Sequence, residues 1–267
     1  MASWTESARR AESMGYSTFL LPDTLFTPAP LVALAAAAAV TGTLRVGTWV
    51  LCDSLRNPRT LAWEAASLDR LSGGRFELGL GAGRPGAEAD ARRLGVAYGS
   101  AGERVMRLRS SVRTIRAWLR GEEPELPSAE PVHLVPVLIA AAAPRLLALA
   151  AREADIIAFG WPPDTPEPAA RQRIDQVRAA APERFDGLEL AAGLIAIGEG
   201  EYPWLRRTGF SVPNLAAMGA VTVLTGTPGQ MADTLRRRRD TLGLSYLTVP
   251  AQCAEAFSPV VAELTGR

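Results

Sequence analysis

The chain has no lysine. All 29 of its basic residues are arginine, which excludes Schiff-base chemistry on this protein. It has a single histidine, His133, so a multi-histidine metal site is impossible, and two cysteines cannot complete a ligand set. A nucleophilic triad would have to use that one histidine, and no G-x-S-x-G elbow is present. Cys52 and Cys253 are too few for a disulfide framework and suit a reducing compartment, so a cytoplasmic protein is expected. A net charge of +1 leaves no electrostatic footprint for nucleic acid or an anionic membrane. The longest apolar run, "PLVALAAAAAV", is too short to span a bilayer and is mostly alanine. The N-terminal segment carries Glu6, Arg9, Arg10 and Glu12 and reads as an amphipathic helix, not a signal peptide.

What is present points to an α/β protein. With 267 residues and 48% hydrophobic content, the chain is long enough to bury a large core. Strand-like runs fall at 16–22, 44–52, 75–82, 136–141, 155–159, 188–197, 221–226 and 244–249. Helical patterns fall between them at 3–14, 28–41, 58–71, 101–119, 145–152, 166–181 and 228–242. Several strands are apolar on both faces, as parallel strands covered by helices are. "TPGQ" predicts a helix start at 228, with Thr227 as N-cap and Gln230 closing a capping box. An alternation of this length favours a single (β/α)8 TIM-barrel domain over residues 1–267. Two segments break the rhythm: "RGEEPELPSAEP" (120–131), which resembles a linker, and 198–219, an aromatic- and arginine-bearing insertion. The insertion reads equally well as a lid or as a dimer contact.

The segment "LAWEAASLDRLSGGRFELGLGAG" (61–83) resembles the luciferase-like monooxygenase superfamily, in particular actinobacterial oxidoreductases that use the deazaflavin coenzyme F420. "ARRAESMGYSTFLLPD" (8–23), "LRVGTWVL" (44–51), "RNP" (56–58), "APRLLALAAREADI" (143–156) and "LTGTPGQMADTLRRRRDTLGLSYLTV" (224–249) resemble it too, in order. The resemblance implies a barrel with the cofactor at the C-terminal strand ends, a small-molecule substrate, and a homodimer. "LDRLSGGR" itself is a bottom-face turn, with Gly73 and Gly74 making the bend and Asp69 and Arg75 satisfying backbone groups; such features read as stability. The family's first strand has no counterpart ahead of "SWTESARRAE". Either a mis-assigned start removed that strand, or "VTVLTG" (221–226) or a partner chain replaces it.

Four strand ends carry the candidate chemistry. After the first strand stand Asp23 and Thr24, where the resemblance implies Asp-His and an acid/base role. Threonine replaces the histidine and is a poor proton donor near neutrality. Asp23 takes the role if burial raises its pKa, or else caps the following turn. After the second strand, the resemblance implies cofactor-ring contacts at Val50, Cys52 and Asp53, at a strained peptide backing the ring. Cys52 reads as a small buried hydrophobe rather than a nucleophile. After the third, Gly81 and Gly83 permit close approach, Arg84-Pro85 replace the family's Gly-Trp, and Glu88 keeps an acidic position. The glycine spacing is not that of a dinucleotide fingerprint. After the fourth, Ala141, Ala142 and Ala143 lead into a helix with Arg145 in its first turn, where relatives have several glycines. Alanine suffices wherever φ is negative, and a cation at a helix start is favourable when an anion accompanies it. Trp161, after the fifth strand, is placed to stack on a ring.

Three function classes stay open on the sequence. The first is an oxidoreductase transferring a hydride between F420, or alternatively FMN, and a small organic substrate. The second is a barrel with no redox cofactor, doing isomerase, cyclase or dehydratase chemistry around Asp23, Asp53 or Glu88, with Trp49, Trp161 and Trp204 lining a pocket. The third is a non-catalytic subunit supporting a true enzyme.

Overall fold

A computed structural model describes residues 3–84, 86–122 and 134–265. Pro85, His133 and most of the linker-like segment at 120–131 lie outside the described residues. The chain forms two compact units, the first made mainly of residues 17–140 and the second mainly of 156–267.

The first unit begins with α1 (Trp4–Ser13), β1 (Thr18–Leu21), α2 (Pro30–Ala39), β2 (Arg45–Thr48) and β3 (Leu51–Cys52). It continues through α3 (Pro58–Ser72), β4 (Phe76–Gly81), α4 (Ala87–Arg93), α5 (Ala101–Leu119) and β5 (Val137–Ala141). The strands are parallel in the order β1-β2-β4-β5, with β3 also on β4. All six residues of β4 are buried, which fits a strand covered on both faces. Glycine is required inside it: a Cβ on Gly79 would stand 2.0 Å from the Thr48 carbonyl oxygen. The Thr48 hydroxyl bridges that contact, donating to the Gly79 carbonyl and accepting from its N–H, both at 2.8 Å. The Trp49–Val50 peptide is cis.

"RNP" divides into separate duties. Asn57 caps α3 by accepting from the N–H groups of Arg59 and Thr60, and Pro58 occupies the first turn, where no N–H is needed. Gly73, in the left-handed region, ends the helix. Arg75 donates to the carbonyls of Ser72, Leu44 and Ala38, tying the start of β4 to the α2–β2 connection. The expected stabilising role of "LDRLSGGR" is met through Arg75.

The second unit contains α6 (Pro144–Glu153), β6 (Ile156–Phe159), α7 (Glu167–Ala180), β7 (Glu189–Gly193), β8 (Ala196–Ile197), α8 (Pro203–Arg206) and α9 (Val212–Ala217). β9 (Val223–Leu224), α10 (Pro228–Leu242), β10 (Leu244–Thr248) and α11 (Ala254–Leu264) complete it. β6, β7 and β10 are parallel neighbours. Thr227 and Gln230 form the expected capping box at the start of α10. β9 pairs with β8 in a separate two-stranded sheet, so "VTVLTG" supplies no replacement strand to the main sheet. The insertion 198–219 folds into α8 and α9, whose Leu205, Val212 and Leu215 pack with Ala196 and Val223.

The sequence pattern assigned no element to α11, which carries Pro259 in its interior. The proline lacks the N–H that would reach the Glu255 carbonyl, and the Ser258 hydroxyl donates to that carbonyl instead, at 2.9 Å. Phe257 and Val260 pack with Met231 and Leu235 of α10. Among the described residues, no helix is long and apolar enough to cross a membrane. No group of three or more His, Cys, Asp or Glu side chains there is placed to hold a metal.

Candidate active site

In the first unit, the ends of β1 and β3 meet through one carboxylate. Asp23, just past β1, receives Arg56 at both oxygens, at 2.5 and 2.8 Å, and accepts the Cys52 N–H at 2.8 Å. Its side chain is only 9% exposed. This carboxylate is committed to a bidentate ion pair and one backbone donor, so its position is fixed and its acceptor capacity largely used. Thr24 is half-buried, and its hydroxyl accepts from the Phe26 N–H at 3.3 Å, a local turn that holds the chain after Asp23.

Cys52 is buried, and burial pushes its thiol pKa up, as expected of a packed hydrophobe rather than a nucleophile. Val50 presses on the glycines of β4: a Cβ at either Gly79 or Gly81 would come within 2.9 Å of its side chain. Asp53 follows at 2% exposure. Burial pushes its carboxyl pKa up, against the opposing effects of a hydrogen bond with Ser111 and the charge of Arg107 on α5. Its Oδ2 has no hydrogen-bond partner among the described residues.

Gly83 takes φ +104°, a conformation that favours glycine. Glu88 lies on the outer face of α4, 68% exposed and 3.5 Å from Arg92. The buried acid of that helix is Asp90, which accepts from Arg84 at 2.5 Å and from Arg93 at 3.3 Å. Sequence reasoning missed Arg56 and Asp90. "RNP" within the matched motifs, and the three-residue spacing of Asp90 and Arg93, were the available signals.

Ala141, the last residue of β5, belongs to the second unit; it is buried, and its carbonyl accepts the Gly160 N–H at 2.9 Å. Ala142 and Ala143 are exposed, and no residue other than glycine takes positive φ among those described. The alanines therefore sit in this loop without backbone strain. Their N–H groups meet no acceptor among the described residues, and Ala143 begins the first turn of α6 through its carbonyl. Arg145 is exposed in that turn and makes no ion pair among the described residues. Trp161 stacks on Phe159 with ring centroids 4.4 Å apart, and its buried Nε1 has no acceptor there. A helix start with free donors and an unpaired guanidinium fits an anion such as a phosphate.

Comparisons with known proteins give the family and the fold. The luciferase-like monooxygenase family model matches residues 1–201. An F420-dependent glucose-6-phosphate dehydrogenase of Beutenbergia cavernae is 32% identical over 165 residues, covering 54% of this chain and 48% of that protein. A protein of the same description from Kineococcus radiotolerans is 36% identical over 140 residues, 48% of this chain and 41% of its own. The chain thus matches about half the length of these curated relatives. Among solved structures, an F420-dependent secondary alcohol dehydrogenase in complex with an F420-acetone adduct has a TM-score of 0.74 at 16% identity, covering 96% of this chain and 92% of that one. The coenzyme F420-dependent tetrahydromethanopterin reductase of Methanopyrus kandleri has a TM-score of 0.70 at 18% identity, covering 98% and 95%. These likenesses bear out the expected fold, an α/β chain of the TIM-barrel class with parallel strands. The family model matches more than half of the chain, and this chain belongs to the luciferase-like monooxygenase family.

Proposed function

We propose that the protein is an oxidoreductase that moves a hydride between coenzyme F420 and a small organic substrate. Two relatives carry F420-dependent descriptions, which supports that cofactor ahead of FMN. The observation that carries the reading is the alanine loop. Its residues avoid positive φ and, among the described residues, its N–H groups at the helix start meet no acceptor and Arg145 no carboxylate. Ala142, Ala143 and Arg145 are assigned to the cofactor's phosphate.

When bound, the deazaflavin ring supplies the carbon that accepts or gives the hydride. In the first unit, Val50, Cys52, Gly81 and Gly83 are assigned to ring contacts. Asp23 works through Arg56 and the Cys52 N–H to hold the β3 end in place. Asp53 is the best-suited proton carrier: burial keeps its carboxyl protonated to higher pH than an exposed aspartate. Thr24 is left as a turn-former and hydrogen-bond partner, and Glu88 as a surface acid on α4. Trp161 is assigned to stacking on a ring in the second unit.

The test is a titration of the purified chain with F420 and, separately, FMN, read by cofactor fluorescence. Micromolar F420 binding that is lost on Arg145→Glu is the expected result. A folded protein that binds neither cofactor would overturn the redox reading, leaving the cofactor-free chemistry around Asp53.

A further inference from the structure

Within the second unit, the start of α7, the end of α9, β9 and α10 enclose a cleft of about 540 Å³. A cleft of this volume takes a small organic molecule. None of its lining residues is among those assigned to the cofactor. Much of the lining is apolar, Pro166, Met218 and Leu224 included, and Met218 stays 49% exposed. Thr234, Arg237 and Arg238 of α10 line it too, and Glu167 is the one acid among its described lining residues.

The charges in this cleft do not balance. Arg237 donates to both oxygens of Glu167, each at 2.7 Å. Arg238 donates through Nε to one of the same oxygens, at 3.3 Å. Its other two nitrogens are taken by the Val221 and Ala220 carbonyls, at 3.0 and 3.2 Å. Two guanidiniums thus share one carboxylate, which leaves a positive charge in excess among the described lining residues. Arg238 is buried, so water does little to screen its charge. Arg237 is the accessible cation. Its side chain is 52% exposed, and its guanidinium has donors beyond the two that Glu167 takes.

We infer that this cleft is a second ligand site, taking a small carboxylic acid whose carboxylate meets Arg237 and whose apolar body covers Met218 and Leu224. A carboxylate matches the planar fork of a guanidinium and supplies the missing counter-charge. The apolar body adds binding in proportion to the surface it removes from water. A small, fully hydrated anion such as inorganic phosphate leaves that surface bare and is the poorer match. Glu167 competes with the ligand for the same guanidinium and so limits its affinity. The site uses residues of the second unit alone and does not depend on which redox cofactor, if any, the protein takes.

The experiment is calorimetric titration of the full chain at neutral pH with octanoate. Octanamide and acetate are the controls, the first lacking the charge and the second the apolar body. One saturable octanoate site is expected, with each control at least about tenfold weaker. Arg237→Gln should weaken octanoate about tenfold, in keeping with a lost charge-assisted contact. Arg237→Lys should restore part of that loss, and Met218→Ser should weaken octanoate about threefold. Glu167→Gln leaves two cations without a carboxylate and should bind octanoate about threefold more tightly. No saturable octanoate binding overturns the inference, as does Arg237→Gln binding like the parent or either control binding as tightly as octanoate. Should Arg237→Gln fail to fold, parent-like affinity in both Arg237→Lys and Met218→Ser overturns it. If Arg145→Glu abolishes octanoate binding while Arg237→Gln does not, the acid sits at the α6 loop; the second site then fails while the redox reading stands.

Discussion

Replacing Asp23 by asparagine tests whether this residue is a structural clamp or a chemical group. The substitution keeps the shape and one acceptor oxygen for the Cys52 N–H, but removes the charge that binds Arg56 at 2.5 and 2.8 Å. Taking one partner from a buried ion pair costs about 3–5 kcal/mol, because the other charge is left uncompensated. Arg56 keeps 22% of its side chain exposed and regains some hydration, which puts the expected loss near the lower end, about 3 kcal/mol. Alanine at the same position also strands the Cys52 N–H and should cost about 1 kcal/mol more. The assay is urea unfolding followed by tryptophan fluorescence, on Asp23→Asn, Arg56→Gln and the double variant. A coupling energy of about 2 kcal/mol is expected between residues sharing one ion pair. A loss under about 1 kcal/mol for Asp23→Asn, with coupling below about 0.5, would refute the clamp. Parent-like stability together with lost turnover would make Asp23 a chemical participant instead.

Two further outcomes follow from the first unit. Glu12 accepts the N–H groups of Thr43, Leu44 and Gly42, and the Thr43 and Leu44 bonds do most to lower its carboxyl pKa from 4.5 to about 2. A depressed folded pKa contributes stability that is present above the ordinary value and lost as the carboxylate is protonated. The melting-temperature gap between the parent and Glu12→Gln should therefore be widest above pH 4.5 and close as pH falls to about 2; a gap independent of pH would contradict the assignment. Gly79→Ala places a Cβ 2.0 Å from a backbone oxygen that cannot swing aside. Its cost should reach at least about 3 kcal/mol, the top of the range for ordinary overpacking, and a variant melting like the parent would show that the strands do not approach so closely.

Much of the fold was legible because local rules and tertiary packing agree. The capping box at Thr227 and Gln230 appears as read, and the 101–119 helix begins at a second box formed by Ser100 and Glu103. α11 escaped because Pro259 argues against a helix interior, and the compensating Ser258 hydroxyl has no signature in a hydrophobic pattern. "VTVLTG" has the composition of a core strand, yet its β9 pairs with β8 in a separate two-stranded sheet, since strand pairing depends on the partner as well as the segment.

The candidate site divides in the same way. By itself the sequence determined which chemistry is impossible: no lysine, one histidine and two cysteines exclude Schiff-base catalysis and a multi-histidine metal site. It also determined the strand-helix alternation, because hydrophobic period and cap residues act over a few neighbouring positions, but it read 188–197 as one strand where the structure has β7 and a separate β8. Only the tertiary structure decided what each end does. Asp23 meets Arg56 across 33 positions of sequence, Asp53 is buried beside Ser111, and Arg104 is held by carbonyls and a ring. A side chain's charge state and free valences depend on what surrounds it in space. Neighbours that far along the chain leave no periodic trace.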